Sequence, residues 1–251
     1  MALFWASRRS RPDILFNVSY LATRTKYATS RDLSDLNHLL LYLQSTINEK
    51  VCLCFKGDVT VSIFVDSSAQ FYNDFRGHGG YVATIGDGYG GSVEIKSGKS
   101  KSNCRSTMEY ELIELHHCLP AVLWLRMLLS ELGFPQERAS IIYEDNQSVL
   151  DIMVRGQVSS GVSRYVEVKY YYTKDLISKG LVRLIHCPTN IMIADIVTKN
   201  LPGPVFNVIK NILLNNTLVS VDKYQLILDS FDSDEEVYLN NLIVNMILCN
   251  I

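Results

Sequence analysis

Four acidic residues in this 251-residue chain stand where apolar neighbours would ordinarily exclude them. Asp66 closes Val-Ser-Ile-Phe-Val-Asp at 61–66, and Asp145 closes Ile-Ile-Tyr-Glu-Asp at 141–145. Glu111 shares helical spacing with Met108, Leu115 and Cys118, so it points with apolar side chains. Asp195 interrupts Ile-Met-Ile-Ala-Asp-Ile-Val at 191–197. Taken singly, each has an ordinary reading as a turn residue, a helix cap or a helix-edge acid reaching water. Taken together they are harder to dismiss. A carboxylate buried without a partner is costly, and four that converge repel one another. A divalent cation relieves both problems, and carboxylates without histidine or cysteine select hard ions such as Mg2+ or Mn2+. Two such ions about 4 Å apart can clamp an in-line phosphodiester displacement.

The elements that must position these acids follow from periodicity. Proline at 12 suits a first helical turn, with Ile14, Leu15, Val18 and Leu21 following at helical spacing. A second helix begins at Ser30, with Leu33, Leu36, Leu40 and Leu43 as its expected buried stripe. Val51–Phe55 reads as a strand. Further strands are expected at Thr60–Val65, Gly79–Ile85, Gly91–Ile95, Ser140–Tyr143 and Leu181–Ile185. A turn at 86–90 joins two of them, and Lys96–Asn103 reads as a basic loop. Helices are expected over 105–118, from Pro120 to Leu132, and over 146–154, 166–178, 190–198 and 205–214. A glycine- and serine-rich loop fills 156–163, an acidic run fills 229–236, and an apolar tail ends the chain. The order predicts an α/β fold, a mixed five-stranded sheet flanked by helices, with a small helical N-terminal segment.

Composition narrows the class of function. Twenty-four basic against 26 acidic residues give a net charge of −2, so any nucleic-acid contact needs a local basic patch. Six cysteines follow no metal-ligand spacing and read as reduced thiols of an intracellular protein. No unbroken apolar run reaches the roughly 18 residues of a membrane span, and no membrane partner is expected. Lys96, Lys99, Lys101 and Arg105 precede the helix that carries Glu111 and could follow phosphates. Ser102, Asn103 and Ser106 could hydrogen-bond sugars or phosphates, and Asn146, beside Asp145, joins these candidate substrate contacts. A second strip, Lys169, Lys174, Lys179 and Arg183, reads as an ordinary solvated face, and Tyr170-Tyr171-Tyr172 as helix packing.

The segments around the acids resemble a known family. Arg105-Ser-Thr-Met-Glu-Tyr-Glu-Leu-Ile-Glu-Leu115 resembles the Ser-Ser-Thr-Glu-Ala-Glu-Tyr segment of copia-type retrotransposon ribonuclease H domains. Ile142-Tyr-Glu-Asp-Asn-Gln-Ser148 is similar to their Tyr-Cys-Asp-Asn-Gln-Ser. His186-Cys-Pro-Thr189, Ile193-Ala-Asp-Ile-Val-Thr-Lys199 and Leu201-Pro-Gly203 resemble their closing segment, and Val65-Asp66-Ser67 the first. The likeness covers roughly 5–214 and departs at Arg164-Tyr165-Val166, where the family often carries a histidine, and at Asn190, where it often has glutamate.

The resemblance implies a ribonuclease H-like fold over 59–200. It makes 1–58 the end of the reverse transcriptase thumb or connection and 201–251 a C-terminal helix and tail. Asp66, Glu111, Asp145 and Asp195 would be the catalytic, metal-binding acids, with Glu111 preferred over Glu109. Two Mg2+ or Mn2+ ions would serve hydrolysis of the RNA strand of an RNA–DNA hybrid. The reverse transcriptase portion would be the other partner. His186, nine residues before Asp195, is a candidate aid to product release, with a packed strand-end histidine as the alternative. The expected location is cytoplasmic or in virus-like particles, with the nucleus as a third option. A catalytically silent remnant that binds nucleic acid or protein is the competing reading. A strand-transfer domain on the same fold fits the acids but not the motifs.

Overall fold

The computed structural model describes residues 1–53, 58–86, 90–155 and 164–215. Expectations for the 156–163 loop, the centre of the 86–90 turn, the end of the 51–55 strand and the tail beyond 215 lie outside these residues.

Five strands form one sheet: β1 (Val61–Ser68), β2 (His78–Ile85), β3 (Glu94–Lys99), β4 (Ser140–Glu144) and β5 (Val182–His186). Their order is β3-β2-β1-β4-β5. The first three pair antiparallel, whereas β4 and β5 run parallel to β1. This is the mixed five-stranded sheet flanked by helices that the sequence predicts. Its parallel half matters most for function. β1 and β4 are neighbours running the same way, with Phe64 level with Tyr143, so a residue late in β1 and one just past the end of β4 lie side by side at one end of the sheet. Asp66 and Asp145 occupy that end.

Apolar side chains cover both faces, which explains why β1 is buried almost throughout. Val61, Ile63 and Val65 share one core with Ile142 and with Leu112, Leu115, Leu119 and Val122 of the long helix α4 (Thr107–Glu131). Phe64 lies on the other face with Val82, Ile95, Ile193, Ile196, Val197, Ile209 and Leu213. The remaining helices are α1 (Ala2–Arg9), α2 (Leu15–Arg24), α3 (Ser30–Ser45), α5 (Gln147–Arg155), α6 (Arg164–Ser178) and α7 (Gly203–Leu214). Helices α1 and α2 lie against β3, where Ser19 of α2 donates to the Ser97 carbonyl at 3.0 Å, and α3 packs on α2.

Several elements differ from expectation. The two helices on either side of Pro120 are a single helix, α4. Proline removes one backbone donor and ordinarily breaks a helix. Here Cys118, Leu119 and Val122 are fully buried around it, and packing on the sheet holds the halves together. By length and composition α4 could cross a membrane, but its apolar residues form the core on the sheet.

β3 begins three residues later than predicted and takes half of the expected basic loop. Ile95 and Ser97 alternate inward opposite Val82 and Gly80. The stripe of α3 is rotated: Leu33 and Leu40 are exposed, and Asp32 and Leu39 are buried. Asp32 is drawn in by a reciprocal cap with Thr29 and an ion pair with Arg24. Residues 51–53 form no strand; the Val51 and Cys52 amides bond to the carbonyls of Ser10 and Leu214. Residues 190–198 form short 3-10 turns, Thr189–Ile191 and Ile193–Val197, in place of an α-helix. Every residue of the second is buried, so it has no solvated face for an amphipathic helix to present.

Candidate metal centre

Two glycines on β2 decide how closely the layers approach the sheet edge. A Cβ on Gly79 would sit 2.2 Å from Glu114 Cγ of α4. One on Gly80, which pairs with Asp66, would meet the Lys96 carbonyl at 2.3 Å and Val197 at 3.0 Å. Glycine at both positions lets α4 close on one face and the 193–197 turn on the other.

That turn is tied down by a buried relay. Ser97 Oγ donates to the Val197 carbonyl at 2.7 Å, so His78 Nε2 must be the donor in its 2.7 Å bond to Ser97. His78 Nδ1 then accepts from the Tyr72 hydroxyl at 2.6 Å. Burial pushes the His78 pKa down to about 4, consistent with this neutral tautomer.

Three of the four predicted acids converge. Ligand oxygens of Asp66, Glu111 and Asp145 all lie within 4.8 Å of one another. Asp66 is 2% exposed and Glu111 4%, while Asp145 is half-buried and accepts from Thr189 Oγ1 at 3.1 Å. The fourth acid, Asp195, is buried beside them and reaches Asp66 through a shared cation. Lys199 Nζ lies 2.9 Å from Asp195 Oδ1 and 3.6 Å from Asp66 Oδ2. The Thr198 hydroxyl also donates to Asp66.

Glu109 plays a different part. Its carboxylate accepts from the Arg105 amide at 2.8 Å and its own amide bonds to Ser106 Oγ, so it closes the N-terminus of α4. The geometry thus separates Glu111, inside the cluster, from Glu109, outside it.

The sequence did not reveal two members of this group. Glu144 is fully buried; its Oε1 accepts from the Asn146 amide at 3.1 Å and its Oε2 has no partner. Its signal was its place in β4: the two-residue period puts it on the inward side with Ile142. Lys199 closes the Ile193–Lys199 motif, and its signal was the i+4 spacing from Asp195, the spacing of a helical ion pair.

Electrostatics confirms that these acids crowd one another. Burial, then the charges of Glu144, Asp66 and Asp145, raise the Glu111 pKa well above the ordinary glutamate range. Burial likewise raises Glu144 and Asp66. Burial and the charge of Asp66 push Asp195 up to about 7. Burial alone would lower Lys199, but Asp66 and Asp195 outweigh it and hold the ammonium above its ordinary value. The donor set fits a hard divalent cation. It consists of carboxylates only, and Glu111 Oε2 is buried in it without a hydrogen-bond partner.

The predicted substrate contacts are divided. Ser106 and Asn146 spend their side-chain oxygens on helix starts, accepting from the amides of Glu109 and Ser148. Lys99 is ion-paired with Asp74 at 2.7 Å and lies over the Tyr72 ring, and Asn103 donates to the Asp74 carbonyl. Lys101 and Arg105 are exposed. His186 ends β5, exposed and in register with Glu144. In the second basic strip, Lys169 is buried, 3.3 Å from His117 Nε2, contrary to the solvated face expected there. Tyr170 is buried in the core while Tyr171 and Tyr172 are exposed.

The chain is 25% identical over 214 residues to a retrovirus-related Pol polyprotein from transposon TNT 1-94 of Nicotiana tabacum, covering 84% of this chain. It is 27% identical over 200 residues, 78% of its length, to that from transposon RE1 of Arabidopsis thaliana. Its homologues are Pol polyproteins of copia-type transposons. The chain spans 16% of the first of these polyproteins and 13% of the second. No family model matches it. Among solved structures, RNase H1 from Halobacterium salinarum NRC-1 is similar at 18% identity, with a TM-score of 0.38. The alignment covers 57% of this chain and 95% of that one.

Proposed function

We propose that this chain is the ribonuclease H region of a retrotransposon Pol polyprotein, hydrolysing the RNA strand of RNA–DNA hybrids with two Mg2+ or Mn2+ ions. The observation that carries this reading is the convergence of Asp66, Glu111 and Asp145 within 4.8 Å, three acids taken from β1, α4 and the end of β4. The Pol polyprotein homologues and the order of the acid-bearing motifs support it.

The chain's own residues have distinct tasks. Asp66 and Asp145, from adjacent parallel strands, hold ions at the sheet edge, with Glu111 on α4 and Asp195 on the 193–197 turn completing the set. Ions held by these acids would supply water activation and charge neutralisation for phosphodiester hydrolysis. The Ser97–Val197 and Thr198–Asp66 bonds fix the turn, so Asp195 is held in place before substrate arrives. Lys101 and Arg105, exposed before α4, give the hybrid backbone a local positive approach on a chain of net charge −2. The helices within 1–58 are the end of the reverse transcriptase connection in this reading.

The test is cleavage of a labelled RNA–DNA hybrid by the purified chain with Mg2+ or Mn2+. Cleavage of the RNA strand is expected, and Asp145→Asn should lower it by at least about 100-fold. Absence of cleavage, or cleavage indifferent to that substitution, overturns the proposal.

A further inference from the structure

The carboxylate cluster already contains one cation, and its position has a consequence for metal loading. Asp66 faces two ways. On one side are Glu111 and Asp145, where Glu111 Oε2 has no partner. On the other is Asp195, and there Lys199 Nζ sits between the two aspartates at 2.9 and 3.6 Å. The Lys199 backbone is anchored, its amide donating to the Asp195 carbonyl at 3.1 Å. Its side chain is 34% exposed, so the ammonium has a route to water that requires no backbone movement.

We propose that Lys199 is a resident counter-cation that occupies the Asp66–Asp195 position in the metal-free protein and must swing out before a second divalent ion binds there. The inference rests on the two-ion reading above. It makes loading ordered. The first ion enters among Asp66, Glu111 and Asp145, where among the described residues no cation is ion-paired with Glu111 or Asp145. The second competes with an ammonium, and its apparent affinity falls by the fraction of time the ammonium is withdrawn. In exchange the metal-free cluster keeps one charge neutralised, so the fold tolerates crowded acids before any ion arrives.

Calorimetric titration of the metal-free chain with Mn2+ tests this without substrate. The wild type should bind one ion tightly and one weakly. Lys199→Met should tighten the weak event by at least about ten-fold, and Lys199→Arg, which keeps the charge, should leave it weak. Metal-free Lys199→Met should also melt below wild type, with saturating Mn2+ abolishing the difference. If that variant folds only when Mn2+ is present, the counter-cation role is supported; failure to fold even with Mn2+ overturns it. Two-event binding in the wild type with an unchanged or weaker second event in Lys199→Met overturns the inference and leaves the cation site standing. Absence of Mn2+ binding to either protein removes both.

Discussion

Asp13 in the N-terminal helices and Glu111 on α4 are both cut off from water, at 1% and 4% exposure, yet their surroundings are opposite. Asp13 is fully partnered. Arg11 donates to both its oxygens at 3.0 and 2.8 Å, and the Tyr42 hydroxyl adds a third bond at 2.6 Å. Arg11 also bonds to the Thr46 carbonyl and hydroxyl, tying the start of the 12–14 turn to the end of α3. Glu111 stands among Asp66, Glu144 and Asp145 with one oxygen unpartnered. A buried charge that is fully paired serves the fold; one that is left wanting a cation marks a place where something must bind. The difference lies in the partners, since burial is nearly the same.

That contrast predicts opposite responses to removing charge. Arg11→Met strands Asp13 in the interior and should destabilise the protein by about 3–5 kcal/mol in urea unfolding. Glu111→Gln should do the reverse in EDTA, raising stability by about 1–3 kcal/mol because a crowded, unpaired carboxylate is removed. Equal losses in the two variants would dissolve the distinction.

The pH dependence sharpens it. Burial and the charge of Asp66 push Asp195 up to about 7 in the folded protein, and Glu111 and Glu144 are raised well above their usual range. Unfolded carboxylates titrate near pH 4. Between these values the native state holds protons that the unfolded chain has released, so stability falls as pH rises from about 4 through 7. Buried His78 and half-buried His116, both lowered to about 4 by desolvation, contribute the opposite slope. Their contribution is the same with or without metal, so the difference between unfolding midpoints in Mn2+ and in EDTA isolates the acids. That difference should widen from pH 5 to pH 8. At the small end, Lys179→Ala breaks an exposed pair with Asp175 and should change stability by less than about 0.5 kcal/mol.

Much of this arrangement was legible because strand periodicity and strand ends are local signals. Short apolar runs around Ile63 and Ile142 located β1 and β4, and the acids closing those runs marked the end of the sheet where the cluster forms. Helical spacing gave Glu111 its inward direction, but separating it from Glu109 physically required the cap that Glu109 makes with Arg105 and Ser106. What escaped depended on long-range packing. Pro120 signalled a break that the core around Leu119 and Val122 overrode. The leucine stripe of α3 was misplaced because Asp32 takes a buried place through its cap and ion pair. Lys199 reads as one more charged residue until the fold brings Asp66 beside it.

The bond from Thr198 to Asp66 closes a sequence separation of 132 residues. A ribosome adds residues one at a time, so Asp66 exists long before the turn that completes its surroundings. At about 5–20 residues per second the interval is on the order of ten seconds. Throughout it the nascent chain can hold Asp66, and later Glu111 and Asp145, without Asp195, Thr198 or Lys199. The complete acid cluster therefore forms near the end of this segment's synthesis, when the last turn docks over Gly80.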